Sequence, residues 1–280
     1  MGDNTIISHK YQVTGTVGNG RFGSVMKGIC LKTQKKVAIK MEKAGTIGTI
    51  RHEATVLHYL DTQKCTNIPH VYYYGLHRTN HVCIVMSYYS EGSLDALRPN
   101  LSLDEKLAWW NTALDIIEHI HKAGIVHRDI KPHHFIRDNT NDWNLIDFGL
   151  ATSYFDDAHG HMKELPKDHI VGSPKYVSWY VHGGRDVVRR DDFLSLIYVL
   201  WELVYGEFLD VNGGGENTHS TEVLNEFNAW LREQKEFSRF YHLLETKKND
   251  EMVDLMVSLF AHAEELGFKD RPNYSIFGVK

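Results

Sequence analysis

Between Tyr11 and about Tyr88 the apolar positions fall into short β-branched or aromatic runs, Lys36 to Met41, Val71 to Tyr74 and Val82 to Val85, separated by Gly and Asn turns. Such runs predict strands. One helical period interrupts them: from Ile47 to Leu60, the residues Ile50, Ala54, Leu57 and Tyr59 approximate one apolar face, with Glu53 inside the same helix. After the hinge-like Ser87-Tyr88-Tyr89-Ser90-Glu91-Gly92 the period lengthens. Ser102-Leu103-Asp104-Glu105 is a capping box, and Leu107, Trp110, Leu114, Ile117 and His121 follow at helical spacing until Gly124. Asp192 to Tyr205 is apolar on most of its faces and predicts a buried helix. Gly213 to Asn217 predicts a flexible loop. The pattern predicts an α+β chain: a small β-rich N-terminal lobe with one main helix over 1–88, a larger and mainly helical lobe over 89–280, and a cleft between them.

Composition narrows the chemistry. The 280 residues, 42% of them hydrophobic, are enough for buried cores, and a net charge of −5 disfavours nucleic acid as the principal partner. Cys30, Cys65 and Cys83 form no C-x-x-C pair, so a reducing, cytoplasmic setting is expected, with nuclear access left open. The eighteen histidines are scattered without paired ligand spacing. The longest apolar stretch, Phe193 to Tyr205, is shorter than the about 20 residues of a membrane span, so no membrane association is expected. The start, Met1-Gly2-Asp3-Asn4-Thr5-Ile6, matches neither a myristoylation nor a secretory signal.

Four motifs then occur in order: Gly18-x-Gly20-x-x-Gly23-x-Val25, Val37-Ala38-Ile39-Lys40, His127-Arg128-Asp129 and Asp147-Phe148-Gly149. On these the chain resembles a eukaryotic-type protein kinase from roughly Tyr11 to Phe277. Each motif has a physical task, because phosphoryl transfer needs positioning and charge neutralisation more than covalent help. Gly18, Gly20 and Gly23 would let backbone N–H groups approach phosphate oxygens of ATP. Lys40 would contact the α- and β-phosphates and be held by Glu53. Glu42 also lies nearby, and only helical register separates the two acids. By the resemblance, Val25 and Ala38 cap the adenine, Ile136 supports it from below, and Met86, Ser87 and Tyr88 offer backbone groups to its edge. Asp129 would orient the acceptor hydroxyl and Lys131 would neutralise the moving phosphate, which leans toward Ser/Thr acceptors. Asp147 would chelate Mg²⁺ while Phe148 packs under the Glu53 helix.

His127-Arg128-Asp129-Ile130-Lys131-Pro132, Val171-Gly172-Ser173-Pro174-Lys175-Tyr176-Val177-Ser178 and Arg189-Arg190-Asp191-Asp192 resemble the casein kinase I group and its vaccinia-related cousins. Val177-Ser178-Trp179-Tyr180 stands where most kinases carry Ala-Pro-Glu, and Pro272-Asn273-Tyr274-Ser275 resembles the group's terminal Pro-Asp-Tyr-Ser. The match implies that Asp192 braces the catalytic loop and that Ser173 bonds to Asp129 and Lys131. Lys175 occupies the position that in this group reads acidic or pre-phosphorylated substrates; a solvated lysine is the plain alternative. His134 departs from the family, standing where an Asn binds the second Mg²⁺. An imidazole suits hard Mg²⁺ poorly and Mn²⁺ better. The expectation is an active, monomeric Ser/Thr protein kinase using ATP with weakened Mg²⁺ use and Mn²⁺ preference. A nucleotide-binding pseudokinase scaffold is the alternative, and a small-molecule kinase of related fold a third reading. Thr152, Ser153 and Tyr154 are available activation-loop acceptors, but the group implies constitutive activity, and with almost no chain beyond the catalytic core no regulation by an appended domain is expected.

Overall fold

A computed structural model describes residues 5–20, 23–43, 45, 48–78, 80–156, 160–206, 229, 231–247, 250–276 and 278. The predicted loop Gly213 to Asn217 lies outside them. The chain forms two compact units, one comprising Met1–Gly92 with Phe135–Leu150 and the other Ser93–His134 with Ala151–Lys280.

In the first unit, strands β1 (Ile6–Ile7), β2 (Tyr11–Gly20), β3 (Gly23–Cys30), β4 (Lys36–Lys43), β5 (Val71–His77) and β6 (His81–Ser87) make an antiparallel sheet in the order β1-β2-β3-β4-β6-β5. Alternation along the strands gives this sheet two chemically different faces. Met26, Val37, Ile39, Met41, Cys83 and Val85 join Ile7, Tyr11 and Val13 in a core cluster on one face. On the other, register pairs Val25 with Lys40, and Ala38 with Met86. Lys40 therefore stands on the face away from that core, with Val25, Ala38 and Ile84 beside it and Lys27 and Glu42 farther along.

Helix α1 (Thr49–Thr62) begins two residues later than its apolar period, at Gly48, whose left-handed φ of 73° suits glycine. Ile47 lies outside the described residues. The buried face holds Ile50, Ala54, Leu57 and also Val56 and Leu60, whereas Tyr59 is 42% exposed. The i, i+3, i+4 spacing from Val56 and Leu57 to Leu60 carries the stripe past Tyr59. Residues 135–150, which the sequence groups with 89–280, cluster with the first unit. Their hairpin of Phe135–Arg137 and Trp143–Leu145 is tied to it by bonds from the Leu145 N–H to the Asn67 carbonyl (2.9 Å) and the Arg137 N–H to the Gly92 carbonyl (3.0 Å).

The second unit is mainly helical. Helix α2 (Leu103–Lys122) starts at Ser102 with both arms of the predicted capping box formed, and packs on α3 (Arg189–Tyr205). Leu107, expected on its apolar stripe, is only half-buried; Trp109, Ala113, Ile116 and Ile120 widen the buried face beyond the predicted positions. Helix α3 is buried along nearly its whole length. Tyr198 and Trp201 from it meet Phe240 of α4 (Phe237–Glu245) and Phe260 of α5 (Val253–Glu265), with Phe240 and Phe260 stacked at 4.4 Å.

Candidate active site

Two groups of predicted residues are assembled, one in each unit. In the first, the Lys40 ammonium lies 2.7 and 2.9 Å from the two Glu53 carboxylate oxygens and 3.0 Å from Asp147 Oδ1. Glu42, the competing acid, instead accepts from the Thr49 hydroxyl at 2.9 Å. Strand alternation aims Lys40 at α1, and the α1 register buries Glu53 beneath it. Burial works against the Lys40 charge, but Glu53 and Asp147 outweigh it and hold the pKa above its ordinary value. Asp147 has φ 67°, a left-handed conformation rare outside glycine, and its neighbour Phe148 is fully buried in the turn that packs on α1.

Val25, Ala38, Ser87, Tyr88 and Ile136, the predicted adenine residues, are half-buried, and Met86 is buried. The glycine hairpin closes as strand register pairs Gly18 with Val25 and Gly20 with Gly23. A Cβ at Gly18 would meet no protein atom within 4 Å, so protein packing does not require the glycine there.

In the second unit, Asp129 Oδ1 accepts from the Ser173 hydroxyl (2.7 Å) and Oδ2 from the Lys131 ammonium (2.9 Å), which also reaches Ser173 Oγ at 2.9 Å. Burial would raise the Asp129 pKa; His134, Lys131 and Ser173 reverse this and hold it below the ordinary range. The loop beneath is fixed through its backbone. Buried Asp192 accepts from the N–H groups of His127 (2.6 Å) and Arg128 (2.9 Å), while Arg128 itself has φ 72°. Gly172 (φ 105°) fits closely over this loop: a Cβ would fall 2.4 Å from the Arg128 carbonyl oxygen.

Support for Asp192 goes deeper than the sequence reading reached. Its Oδ2 also bonds His121 Nε2 at 3.0 Å, and His121 Nδ1 bonds the Tyr274 hydroxyl. Nε2–H donates to the carboxylate, and burial, partly offset by Asp192, holds the His121 pKa below its ordinary value. The terminal Pro-Asn-Tyr-Ser segment was the only sequence signal for this chain of bonds.

His134 is buried; its Nδ1 donates to the Asp129 carbonyl at 2.8 Å, and the same nitrogen lies 3.7 Å from Asp129 Oδ2. Lys175 is half-buried and paired. Its ammonium sits 2.8 Å from Oε1 of buried Glu202, which also binds Arg98 and, at 2.7 Å, the Tyr176 hydroxyl. Nothing in the local sequence around Lys175 announced these partners. Tyr154 is likewise no available acceptor: it is buried, its hydroxyl donating to the His121 carbonyl at 2.5 Å under the Arg189 guanidinium. Ser153 is exposed, and Thr152 is half-buried in a short pairing with Val126. Among the described residues no three His, Cys, Asp or Glu side chains are grouped to hold a metal by themselves, and no helix is long and apolar enough to cross a membrane.

A family profile described as "Protein kinase domain" matches residues 11–267. Casein kinase I homolog 1 of Schizosaccharomyces pombe is 30% identical over 214 residues, covering 73% of this chain and 48% of the relative, so the chain spans about half that protein's length. With the glycine hairpin, the Lys40–Glu53 pair and the Asp129 loop all inside the matched span, the chain belongs to the protein kinase family, and within it the likeness is to the casein kinase I group.

Proposed function

We propose that the chain is an ATP-dependent serine/threonine protein kinase, with Asp129 orienting the acceptor hydroxyl. The observation that carries the reading is the closed triangle of Asp129, Lys131 and Ser173. A carboxylate kept ionised by an ammonium and a hydroxyl is suited to receive a Ser or Thr O–H, and Lys131 stands beside it to neutralise charge on the transferred group. Lys40, held by Glu53, serves the donor phosphates. The open space at Gly18 and the half-buried faces of Val25, Ala38 and Ile136 fit the glycine hairpin and the adenine cap, with Met86, Ser87 and Tyr88 at the adenine edge.

A divalent metal, when bound, neutralises phosphate charge. The donor set fits one: Asp147 keeps a quarter of its side chain exposed beside Lys40, and a metal held mainly by substrate phosphates needs only one or two protein carboxylates. His134 is the proposed second ligand. Because Nδ1 donates to the Asp129 carbonyl, Nε2 is the nitrogen that would face a metal, and a nitrogen donor favours Mn²⁺ over Mg²⁺. We place the protein in the cytoplasm, with nuclear access, as a monomer acting on protein substrates and binding neither nucleic acid nor membrane. Lys175 and Arg98 share the Glu202 carboxylate, and Arg98 also lies 3.7 Å from Asp95, so an acidic or phosphorylated substrate would compete with Glu202 for Lys175.

His134 also motivates the second reading, a pseudokinase that binds nucleotide and acts as a scaffold. ATP turnover by this chain and by His134→Asn, each in Mg²⁺ and in Mn²⁺, separates the two. Catalysis predicts that the native chain favours Mn²⁺ and that His134→Asn regains Mg²⁺-driven turnover. Equal rates in all four conditions remove the metal argument; ATP binding without transfer favours the scaffold.

A further inference from the structure

Lys235, which no motif singled out, has no exposed surface, yet it is a lysine. Its ammonium lies 2.7 Å from the Pro174 carbonyl oxygen, 2.5 Å from the Val177 carbonyl oxygen and 3.1 Å from His182 Nε2, over the Tyr198 ring at 5.3 Å. The two carbonyls accept from the head group, and His182 Nε2, itself 3.1 Å from the Pro174 carbonyl oxygen, is its third polar neighbour. Among the described residues no carboxylate pairs with it, and burial alone pushes its pKa well below the ordinary value. A lysine is retained in such a place at a cost, since a hydrocarbon of similar volume packs there without desolvating a charge. What it supplies is donors to the Pro174 and Val177 carbonyls, the first of which also lies 3.1 Å from His182 Nε2.

Those carbonyls belong to the segment that carries Ser173. The Ser173 carbonyl accepts from the N–H groups of Tyr176 (2.9 Å) and Val177 (3.1 Å), and the Tyr176 carbonyl accepts from the Ser195 hydroxyl at 2.8 Å. One end of the turn is tied to Asp129 through Ser173, the other to Asp191 through Ser178. Lys235 fills the middle, gripping the carbonyls on either side of Lys175 and Tyr176.

We propose that Lys235 is a positioning residue for the phospho-acceptor side, holding the 173–178 turn so that Ser173 stays on Asp129 and a protein substrate meets a preformed edge. This rests on the kinase reading above. It acts through the turn and touches no reacting atom. Loss of the clamp therefore raises KM for the protein acceptor and lowers kcat, while ATP affinity, set in the first unit, stays unchanged.

The test uses Lys235→Met and Lys235→Arg in the full chain. In Lys235→Met the Tyr176 and Val177 amides are expected to exchange hydrogen at least tenfold faster than in the native chain, with α5 amides unchanged. The kcat/KM for a protein acceptor should fall about tenfold, and Lys235→Arg, which keeps donors, should recover part of both. A folded Lys235→Met with native exchange at Tyr176 and Val177 overturns the proposal. Should that variant not fold, through-hydrogen-bond NMR couplings from Lys235 Nζ to the carbonyl carbons of residues 174 and 177 are read in the native chain. Their presence, with native-like turn exchange in Lys235→Arg, supports the clamp; their absence overturns it. A native chain without phosphotransfer defeats the kinase reading alone, because exchange and couplings still decide the clamp.

Discussion

The charged cluster of the first unit and that of the second are built by opposite means. Lys40, Glu53 and Asp147 come from a strand, a helix and a turn far apart in sequence, joined by side-chain ion pairs and by the packing of Phe148 on the Glu53 helix. Asp129, Lys131 and Ser173 sit on a backbone frame fixed from below: two amides on Asp192, a glycine fitted against Arg128 and a lysine on two carbonyls. The first arrangement is undone by changing one side chain. The second is set before its side chains meet, and is damaged mainly through its frame.

The sharpest break of this comparison is Lys40→Met. Transfer should fall by about 10²–10³-fold, as when one preorganised charge stabiliser is removed, while the Tyr176 and Val177 amides keep native exchange. Kinetics beside hydrogen exchange checks both halves, and altered exchange in the turn would show the clusters are not independently built.

Glu53→Gln comes next. Removing one partner of a buried pair costs roughly 3 kcal/mol, read by urea unfolding, and Asp147 retains part of the hold on Lys40. Gly172→Ala addresses the frame: a side chain at φ 105° costs about 1–3 kcal/mol. It should lower kcat with nucleotide affinity intact, measured by titration calorimetry. An equal loss in nucleotide affinity would contradict the division of labour.

The last effect is absent at neutral pH and appears only on acidification. Burial, then the Lys235 and Arg232 charges, hold His182 down to about 3, against an ordinary value near 6.5. The unfolded chain therefore binds the extra proton between those values, and stability falls as pH drops from about 6.5 toward 3. His182→Gln should flatten that limb of the stability–pH curve; an unchanged slope would mean that His182 titrates normally in the fold.

The clusters also differ in how far the sequence announces them. The first was legible because period and motif agree: strand alternation puts Lys40 opposite the core face, and a 3.6-residue period buries Glu53, so Glu42 loses on register alone. In the second, the His-Arg-Asp motif marked the acid and base, and the family resemblance supplied Ser173 and Asp192. Its supports were silent. Lys235, Glu202 and His121 make their bonds to residues distant in sequence, through tertiary packing that no local period encodes. For the same reason Tyr154 reads as an exposed loop hydroxyl but is consumed by the His121 carbonyl, and Lys175 reads as a free cation but is spent on Glu202.

The most direct test of the account is transfer of labelled γ-phosphate from ATP to Ser or Thr of a protein acceptor, by the native chain and by Asp129→Ala at matched folding and ATP occupancy. The account predicts transfer by the native chain and a loss of about 10²–10⁴-fold in the variant. Equal rates in the two, with ATP bound in both, would contradict it.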